Sequence, residues 1–166
     1  MGKKSNKEKL AEQKTNVMRI LEQAKIPYKD YCYAELGLVN GQEVAAALGQ
    51  DVKQVFKTLV TVGKSGAHYV FVIPVHKELN LRKAAKAVEE KSVEMVKSKE
   101  LLALTGYIHG GCSPIGMKKL FRTVVDASAG EQETMVFSGG KIGYQVEVKP
   151  EDLLRVVPYT LAEITN

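Results

Sequence analysis

The sequence of 166 residues has no tryptophan, two cysteines and three histidines. Cys32 and Cys112 lie far apart without a Cys-x-x-Cys pair, which argues against a disulfide scaffold and a structural zinc site. The histidines form no HExxH pair, so we expect no metal and no cofactor. No apolar run approaches the roughly 18 residues of a membrane span, and the charged N-terminus lacks the apolar segment of a secretory signal. We therefore expect a cytoplasmic protein without membrane contact.

The composition is that of a globular domain, with 45% hydrophobic and 26% charged residues. The length suits one hydrophobic core rather than two, so we expect a single domain over residues 1–166. The net charge of +5 favours a polyanionic partner. Part of this excess comes from Lys3, Lys4, Lys7 and Lys9, which equally fit the solvated end of a helix.

Hydrophobic periodicity predicts a mixed α/β domain. An amphipathic helix is expected to open the chain, from about Ser5 to Lys25 within residues 1–25. Further short helices are predicted after Asn40, after Asn80, after Ser98 as its N-cap, and from Pro150, and Asp51 can cap a short turn, VKQVF. Strands are predicted at 28–35, 57–63, 68–75, 93–96, 122–128, 134–138 and 144–148. About seven strands among short helices suggest a largely antiparallel or barrel-like mixed sheet.

The segment HGGCSPIG (109–116) has three interpretations. Cys112 could be a nucleophilic thiolate with His109 as its base, if the two side chains come within hydrogen-bond reach. Alternatively, the three glycines could let main-chain N–H groups converge on an anion or oxyanion, because glycine allows close approach and positive φ. The segment could also be only a turn between a helix and a strand.

A second glycine-rich turn, SGGKIG (138–143), connects two predicted strands. It is either a simple hairpin turn or a second row of donors, with Ser138 offering a hydroxyl and Lys141 a phosphate contact. The turn is not a P-loop, because the order of residues differs and no helix follows.

Two charged residues next to predicted strands are also open to two interpretations. Lys57 begins the strand KTLVTV, where a lysine is usually a solvated edge residue. If it faces a pocket, its ammonium group could hold a carbonyl, carboxylate or phosphate. Asp126 could be a general base, although aspartates at strand ends commonly accept main-chain N–H groups.

Four segments, in this order and spacing, resemble the YbaK/EbsC family of aminoacyl-tRNA deacylases. They are VFKTLV (55–60), GYIHGGCSPIGMKK (106–119), VVDAS (124–128) and FSGGKIGYQVEV (137–148). The resemblance extends over nearly the whole chain from about Val17, and it points to the branch of Cys-tRNA(Pro)/Cys-tRNA(Cys) deacylases. These are free-standing relatives of the editing domain found in bacterial prolyl-tRNA synthetases.

The resemblance implies a barrel-like mixed α/β fold and hydrolysis of the ester that joins a mischarged cysteine to the tRNA 3′ acceptor end. The family is thought to take its nucleophile from the substrate, whose own thiol attacks the carbonyl and forms a thiolactone. Prolyl-tRNA synthetase is then a candidate partner. Two alternatives stay open: a non-catalytic module that binds aminoacyl-tRNA or a synthetase, and a deacylase for another mischarged tRNA such as Ala-tRNA(Pro).

The same resemblance assigns roles to individual residues. Catalytic roles fall on Lys57, Gly110 and Gly111. Substrate-binding roles fall on Tyr33, Ser113, Pro114, Gly116, Ser138, Gly139, Gly140 and Gln145. The chain departs from the family pattern at Cys112, where relatives often carry an apolar residue, so the family does not require this thiol. It also departs at Gln145, where many members carry an aspartate, which leaves an acid/base or α-amino-binding role there open.

Overall fold

The computed structural model describes residues 14–166, which form five α-helices, eight strands and two 3₁₀ turns. The helices are α1 (Asn16–Gln23), α2 (Gly41–Leu48), α3 (Leu81–Ala87), α4 (Ser98–Thr105) and α5 (Pro150–Val156). The strands are β1 (Lys29–Cys32), β2 (Phe56–Gly63), β3 (His68–Pro74), β4 (Val93–Met95), β5 (Arg122–Asp126), β6 (Met135–Ser138), β7 (Tyr144–Val148) and β8 (Tyr159–Ala162). The 3₁₀ turns are Ala34–Leu36 and Ala127–Glu131. The N-terminal lysines and the first part of the predicted opening helix lie outside the described residues.

The strands form two sheets. The larger sheet has the order β4-β2-β3-β5-β8, and the smaller has the order β1-β7-β6. In the larger sheet, β2 is antiparallel to β3 and β4, whereas β5 is parallel to both β3 and β8. The smaller sheet is entirely antiparallel. The mixed α/β class expected from the sequence is therefore confirmed.

The expected barrel-like closure is wrong, because the described strands form two open sheets. The sheets meet at an isolated parallel bridge between Val55 and Val136. From Phe56 onward, β2 pairs with β3 instead, so the bridge does not extend into a ladder that could close a barrel. The strand count is also one higher than expected, because β8 was not predicted.

One hydrophobic core lies between the two sheets and includes side chains from α1 and α5. Val70 and Val72 of β3 point into it, together with Phe137 of β6. Phe71 and Ile73 alternate with these valines and pack on the opposite face, beneath α3. Because β3 is buried on both faces, its sequence is a continuous apolar run instead of an alternating one.

The ends of two helices show where a local sequence signal predicted the capping residue correctly and where it did not. Asn40 caps α2 as predicted, since its side chain accepts hydrogen bonds from two N–H groups of the first turn, and Gly49 ends the helix at a φ of 68°. The predicted Ser98 cap is wrong, because Ser98 is the first residue of α4 and Lys97 occupies the cap position.

Asp126 fixes the C-terminal segment to the end of β5. The residue is 4% exposed, and its two carboxylate oxygens accept hydrogen bonds from the N–H groups of Ser128 and Ile164, each at 3.2 Å. Both oxygens are therefore used for structure, which matches the second interpretation of this residue.

We predict that Asp126→Ala destabilises the fold. Two main-chain N–H groups would lose their acceptor, and leaving a buried donor unsatisfied costs about 1–3 kcal/mol. Urea denaturation followed by circular dichroism should show a free energy of unfolding lower by that amount. The exposed Asp30→Ala serves as the control and should change it by less than about 0.5 kcal/mol. Equal effects of the two substitutions would contradict the anchoring role.

Candidate active site

A cleft of about 530 Å³ lies where the two sheets meet. It is lined by the start of β2 (residues 55–59), by the start of α2, and by both glycine-rich turns. The opening exists because β4 pairs only with residues 61–63 of β2, which leaves the first half of that strand uncovered on this side. Side chains and main-chain groups of residues far apart in sequence therefore face one space.

Lys57 lies on the wall of this cleft, opposite Ile73 in the β2–β3 ladder. Its side chain is half-buried, and the loss of solvent lowers the pKa of its ammonium group, while the charge of Glu78 acts in the opposite direction. No carboxylate among residues 14–166 lies within ion-pair distance of the ammonium nitrogen. The structure thus favours the pocket interpretation of Lys57 over the solvated edge.

The first glycine-rich turn is held by its own hydrogen bonds. Gly110 has a φ of 88°, a conformation that favours glycine, and the N–H of Gly111 donates to the carbonyl of Ile108 at 3.0 Å. The hydroxyl of the fully buried Ser113 accepts from the N–H of Ile115 at 3.3 Å. These bonds fix the path of the main chain along the cleft.

The N–H groups of Gly110 and Cys112 have no hydrogen-bond partner among the described residues, although both residues line the cleft. Two residues that line the cleft therefore carry main-chain donors without a protein partner, as the cradle interpretation requires. The Gly111 N–H, by contrast, is already used within the turn.

The second glycine-rich turn is the hairpin between β6 and β7. The N–H of Gly139 donates to the carbonyl of Tyr144 at 2.9 Å, and the N–H of Gly140 donates to the hydroxyl oxygen of Ser138 at 3.1 Å. The hairpin interpretation is confirmed, and these N–H groups are used inside the turn. The Ser138 hydroxyl retains its own proton as a donor, and the residue lines the cleft.

The two turns are in main-chain contact. A Cβ atom placed on Gly111 would lie 3.1 Å from the main-chain nitrogen of Ile142, which is tighter than nearly all real contacts of this kind. Gly111 therefore acts through its lack of a side chain, which allows the turns to touch.

Tyr33 and Gln145 complete the polar wall. Tyr33 is buried, its N–H donates to the carbonyl of Gly143 at 2.7 Å, and burial raises the pKa of its phenol. Gln145 lies opposite Ser138 in the β6–β7 ladder. Its side-chain oxygen accepts a hydrogen bond from the Gln50 amide at 2.9 Å.

The buried position of Cys112 argues against the nucleophile interpretation. The residue is 8% exposed, and desolvation raises the pKa of its thiol to about 12, partly offset by a hydrogen bond with Thr105. A thiol in that state is almost entirely protonated near neutral pH, and the thiolate is the reactive form. His109 lines the cleft as an exposed side chain.

The structure brings together only part of the residue set assigned from the sequence. Five of those residues line the cleft: Tyr33, Lys57, Gly110, Ser138 and Gln145. Pro114 and Gly116 instead line a smaller cleft of about 230 Å³ near α1. Gly111, Ser113, Gly139 and Gly140 line neither of these clefts.

Sequence reasoning missed three polar residues at or near the cleft. Thr58 and Asn40 line it, and the hydroxyl oxygen of Thr58 is buried without a hydrogen-bond partner among the described residues. Gln50 lies behind Gln145 as its amide partner. The position of Thr58 directly after Lys57 at the start of the predicted strand was the available sequence signal, whereas Gln50 carried none.

Two further features bear on the class of site. Within residues 14–166, no three His, Cys, Asp or Glu side chains are grouped closely enough to hold a metal ion. None of the helices described here has both the length and the apolar character needed to cross a membrane.

Comparison with known proteins identifies related chains. The family model of the aminoacyl-tRNA editing domain matches residues 39–156. A protein of Enterococcus faecalis, named as a candidate Cys-tRNA(Pro)/Cys-tRNA(Cys) deacylase, EbsC, is 47% identical over 159 residues, which cover 95% of this chain and 97% of that protein. A proline–tRNA ligase of Thermosipho melanesiensis is 30% identical over 104 residues, covering 62% of this chain and 18% of the ligase.

A solved structure shows the same fold. It is described as a candidate trans-editing enzyme for prolyl-tRNA synthetase, and it superposes with a TM-score of 0.78 at 23% identity, covering 93% of this chain and 99% of the other. At that level of identity the similarity establishes the architecture alone.

We predict that the two cysteines differ strongly in reactivity. A thiol with a pKa of about 12 is ionised in only about one molecule in ten thousand at pH 8. Iodoacetamide should therefore modify the exposed Cys32 at least about 100-fold faster than Cys112, as measured by mass spectrometry of tryptic peptides. In urea both should react. Rapid modification of Cys112 in the native protein would restore the nucleophile interpretation.

Proposed function

The chain belongs to the aminoacyl-tRNA editing domain family, and from this premise we propose that it deacylates cysteine mischarged on tRNA(Pro), with Cys-tRNA(Cys) as a second substrate. In this proposal residues 1–166 act as one editing domain. The observation that carries it is the convergence of Lys57, the free N–H groups of the first glycine-rich turn, and Ser138 on one cleft. Such a set of donors suits an ester whose carbonyl oxygen becomes negatively charged during cleavage.

The proposed reaction takes its nucleophile from the substrate. The cysteine sulfur attacks its own carbonyl carbon, the bond from that carbon to the ribose oxygen breaks, and the ribose oxygen takes up the proton released by the thiol. The products are free tRNA and a thiolactone, which water then opens to cysteine. This scheme agrees with a buried, protonated Cys112, since the protein need not supply a thiolate.

The protein contributes position and electrostatic stabilisation. The Lys57 ammonium group anchors the terminal nucleotide or the carbonyl, while the N–H groups of Gly110 and Cys112 polarise the carbonyl oxygen. The Ser138 hydroxyl donates a hydrogen bond to the aminoacyl group. The partly desolvated setting of Lys57 strengthens its interaction with an oxyanion compared with the same interaction in water.

The partner in this proposal is the acceptor end of tRNA, which suits a net charge of +5. A domain of this size contacts only the part of the tRNA near the ester. The similarity of 104 residues to a proline–tRNA ligase supports prolyl-tRNA synthetase as a source of tRNA specificity. Added prolyl-tRNA synthetase should then increase the preference for tRNA(Pro) over tRNA(Cys).

We predict that Lys57→Ala lowers the rate of Cys-tRNA(Pro) deacylation by about 10²–10³, the usual cost of removing one stabiliser of an oxyanion. The deacylation rate of Cys112→Ala should stay within about threefold of the wild-type rate. The control Lys64→Ala should do the same, because Lys64 is exposed and lies directly after the other end of β2. Release of radiolabelled cysteine measures the rates. Loss of activity in Cys112→Ala alone would overturn the assignment, and protection of the ester by the wild type would identify a binding module.

We also predict selectivity by reactivity. A pocket gains only about 1–3 kcal/mol from one small group, so size alone separates cysteine poorly from serine or alanine. If the substrate thiol attacks, wild-type protein should deacylate Cys-tRNA(Pro) at least about 100-fold faster than Ser-tRNA(Pro) or Ala-tRNA(Pro). Release of the radiolabelled amino acid from each of the three tRNAs measures these rates, and efficient hydrolysis of Ser-tRNA(Pro) or Ala-tRNA(Pro) would contradict substrate assistance.

A further inference from the structure

The cleft has an unusual balance of charge for a site that takes an amino acid. Lys57 is its one permanently charged lining residue among residues 14–166, and none of the described lining residues is Asp or Glu. Glu78 acts on Lys57 electrostatically, but it does not line the cleft. His109, the second basic side chain in the lining, is exposed. An α-ammonium group entering this space would therefore meet a cation without a carboxylate to neutralise it.

A buried amide lies opposite Ser138 in the β6–β7 ladder. Gln145 is 5% exposed, and its side-chain oxygen is engaged by the Gln50 amide. Its side-chain nitrogen has no hydrogen-bond partner among the described residues, yet it is not one of their fully buried unpartnered atoms. Because Gln145 lines the cleft, its unpartnered side-chain nitrogen is a neutral donor at the cleft wall.

Gln50 holds Gln145 in this orientation. The N–H of Gln50 donates to the carbonyl of Ala45 at 2.8 Å, directly after the glycine that ends α2. Its main chain is therefore fixed, and its amide points at the oxygen of Gln145. This hydrogen bond engages the oxygen of Gln145 and leaves the two N–H donors of its amide for a bound molecule.

We infer that the cleft selects aminoacyl esters whose α-nitrogen is uncharged, and that Gln145, positioned by Gln50, determines this selectivity. The inference rests on the proposed function and specifies the state in which the substrate binds. An α-amino group titrates at about 7.7–8.0 in model peptides, so the uncharged form is accessible near neutral pH. The lone pair of an uncharged α-nitrogen can accept a hydrogen bond from an N–H of the Gln145 amide.

The test compares two esters that differ only in the α-amino group. Cys-tRNA(Pro) and 3-mercaptopropionyl-tRNA(Pro) carry the same thiol, but the second lacks the α-nitrogen. Each deacylation rate is divided by the rate of hydrolysis in buffer alone, because the α-ammonium group itself activates an ester. For the wild type, we expect a rate enhancement on the ester without the amino group that is at least equal to that on the cysteinyl ester.

The variant Gln145→Glu keeps the shape of the side chain and adds a carboxylate that attracts an ammonium group. It should shift the ratio of the two enhancements at least tenfold toward Cys-tRNA(Pro). Gln132→Glu, a half-buried residue outside the cleft, adds the same charge and should leave the ratio unchanged. Thermal melting shows whether both variants are folded. The comparison of the two esters with wild-type protein remains a test even if Gln145→Glu does not fold.

The outcomes separate the two proposals. If the wild type hydrolyses Cys-tRNA(Pro) and its enhancement on 3-mercaptopropionyl-tRNA(Pro) is more than threefold lower, the charge selectivity is wrong while the deacylase function stands. An unchanged ratio in folded Gln145→Glu would also reject the role of Gln145. If neither ester is cleaved faster than in buffer, the proposed function fails, and this inference fails with it.

Discussion

Pairing between β2 and β4 ends at Thr61, and the arrangement of the candidate site depends on that limit. After Met95 the chain leaves the sheet, begins α4 at Ser98, and returns as the first glycine-rich turn beside the uncovered part of β2. A longer β4 would have covered this strand edge with main-chain hydrogen bonds. Instead, the edge faces a cleft whose other walls come from α2 and the β6–β7 hairpin.

The electrostatics of the cleft follow from the same packing. Lys57 is half-buried on a strand, so its ammonium group is partly desolvated, and the described part of the chain offers it no ion pair. The protein itself therefore stabilises this cation poorly, and a negatively charged oxygen in the cleft would relieve this cost. Burial disfavours the charged form of Cys112 as well, and there it raises the pKa and keeps the thiol protonated and neutral.

The sequence was sufficient where one local signal determines the structure. Asn40 before an apolar segment and Gly49 after it defined α2, and SGGKIG between two strand patterns defined the β6–β7 hairpin. It was insufficient where the outcome depends on distant partners. The edge strand β8 has no strong pattern of its own and is placed by its pairing with β5, and the way in which the two sheets meet is not encoded in any single segment.

The candidate site was predictable to a similar degree. Resemblance identified Lys57, Ser138 and Gln145, which line the cleft. It did not distinguish residues that face the cleft from residues that shape it, such as Ser113, whose hydroxyl is used inside the turn. The partnership of Gln50 with Gln145 was not predictable, because it joins a helix end to a strand far away in sequence.

The contact between Gly111 and the main chain of Ile142 has a consequence for how this domain could diverge. The atom nearest to a Cβ at position 111 would be the main-chain nitrogen of residue 142, which every residue there possesses. A residue with a Cβ atom at position 111 would therefore require the turns to shift by a few tenths of an ångström, whichever side chain stands at position 142. Divergence in substrate preference is consequently expected at the side chains that line the cleft and not at position 111.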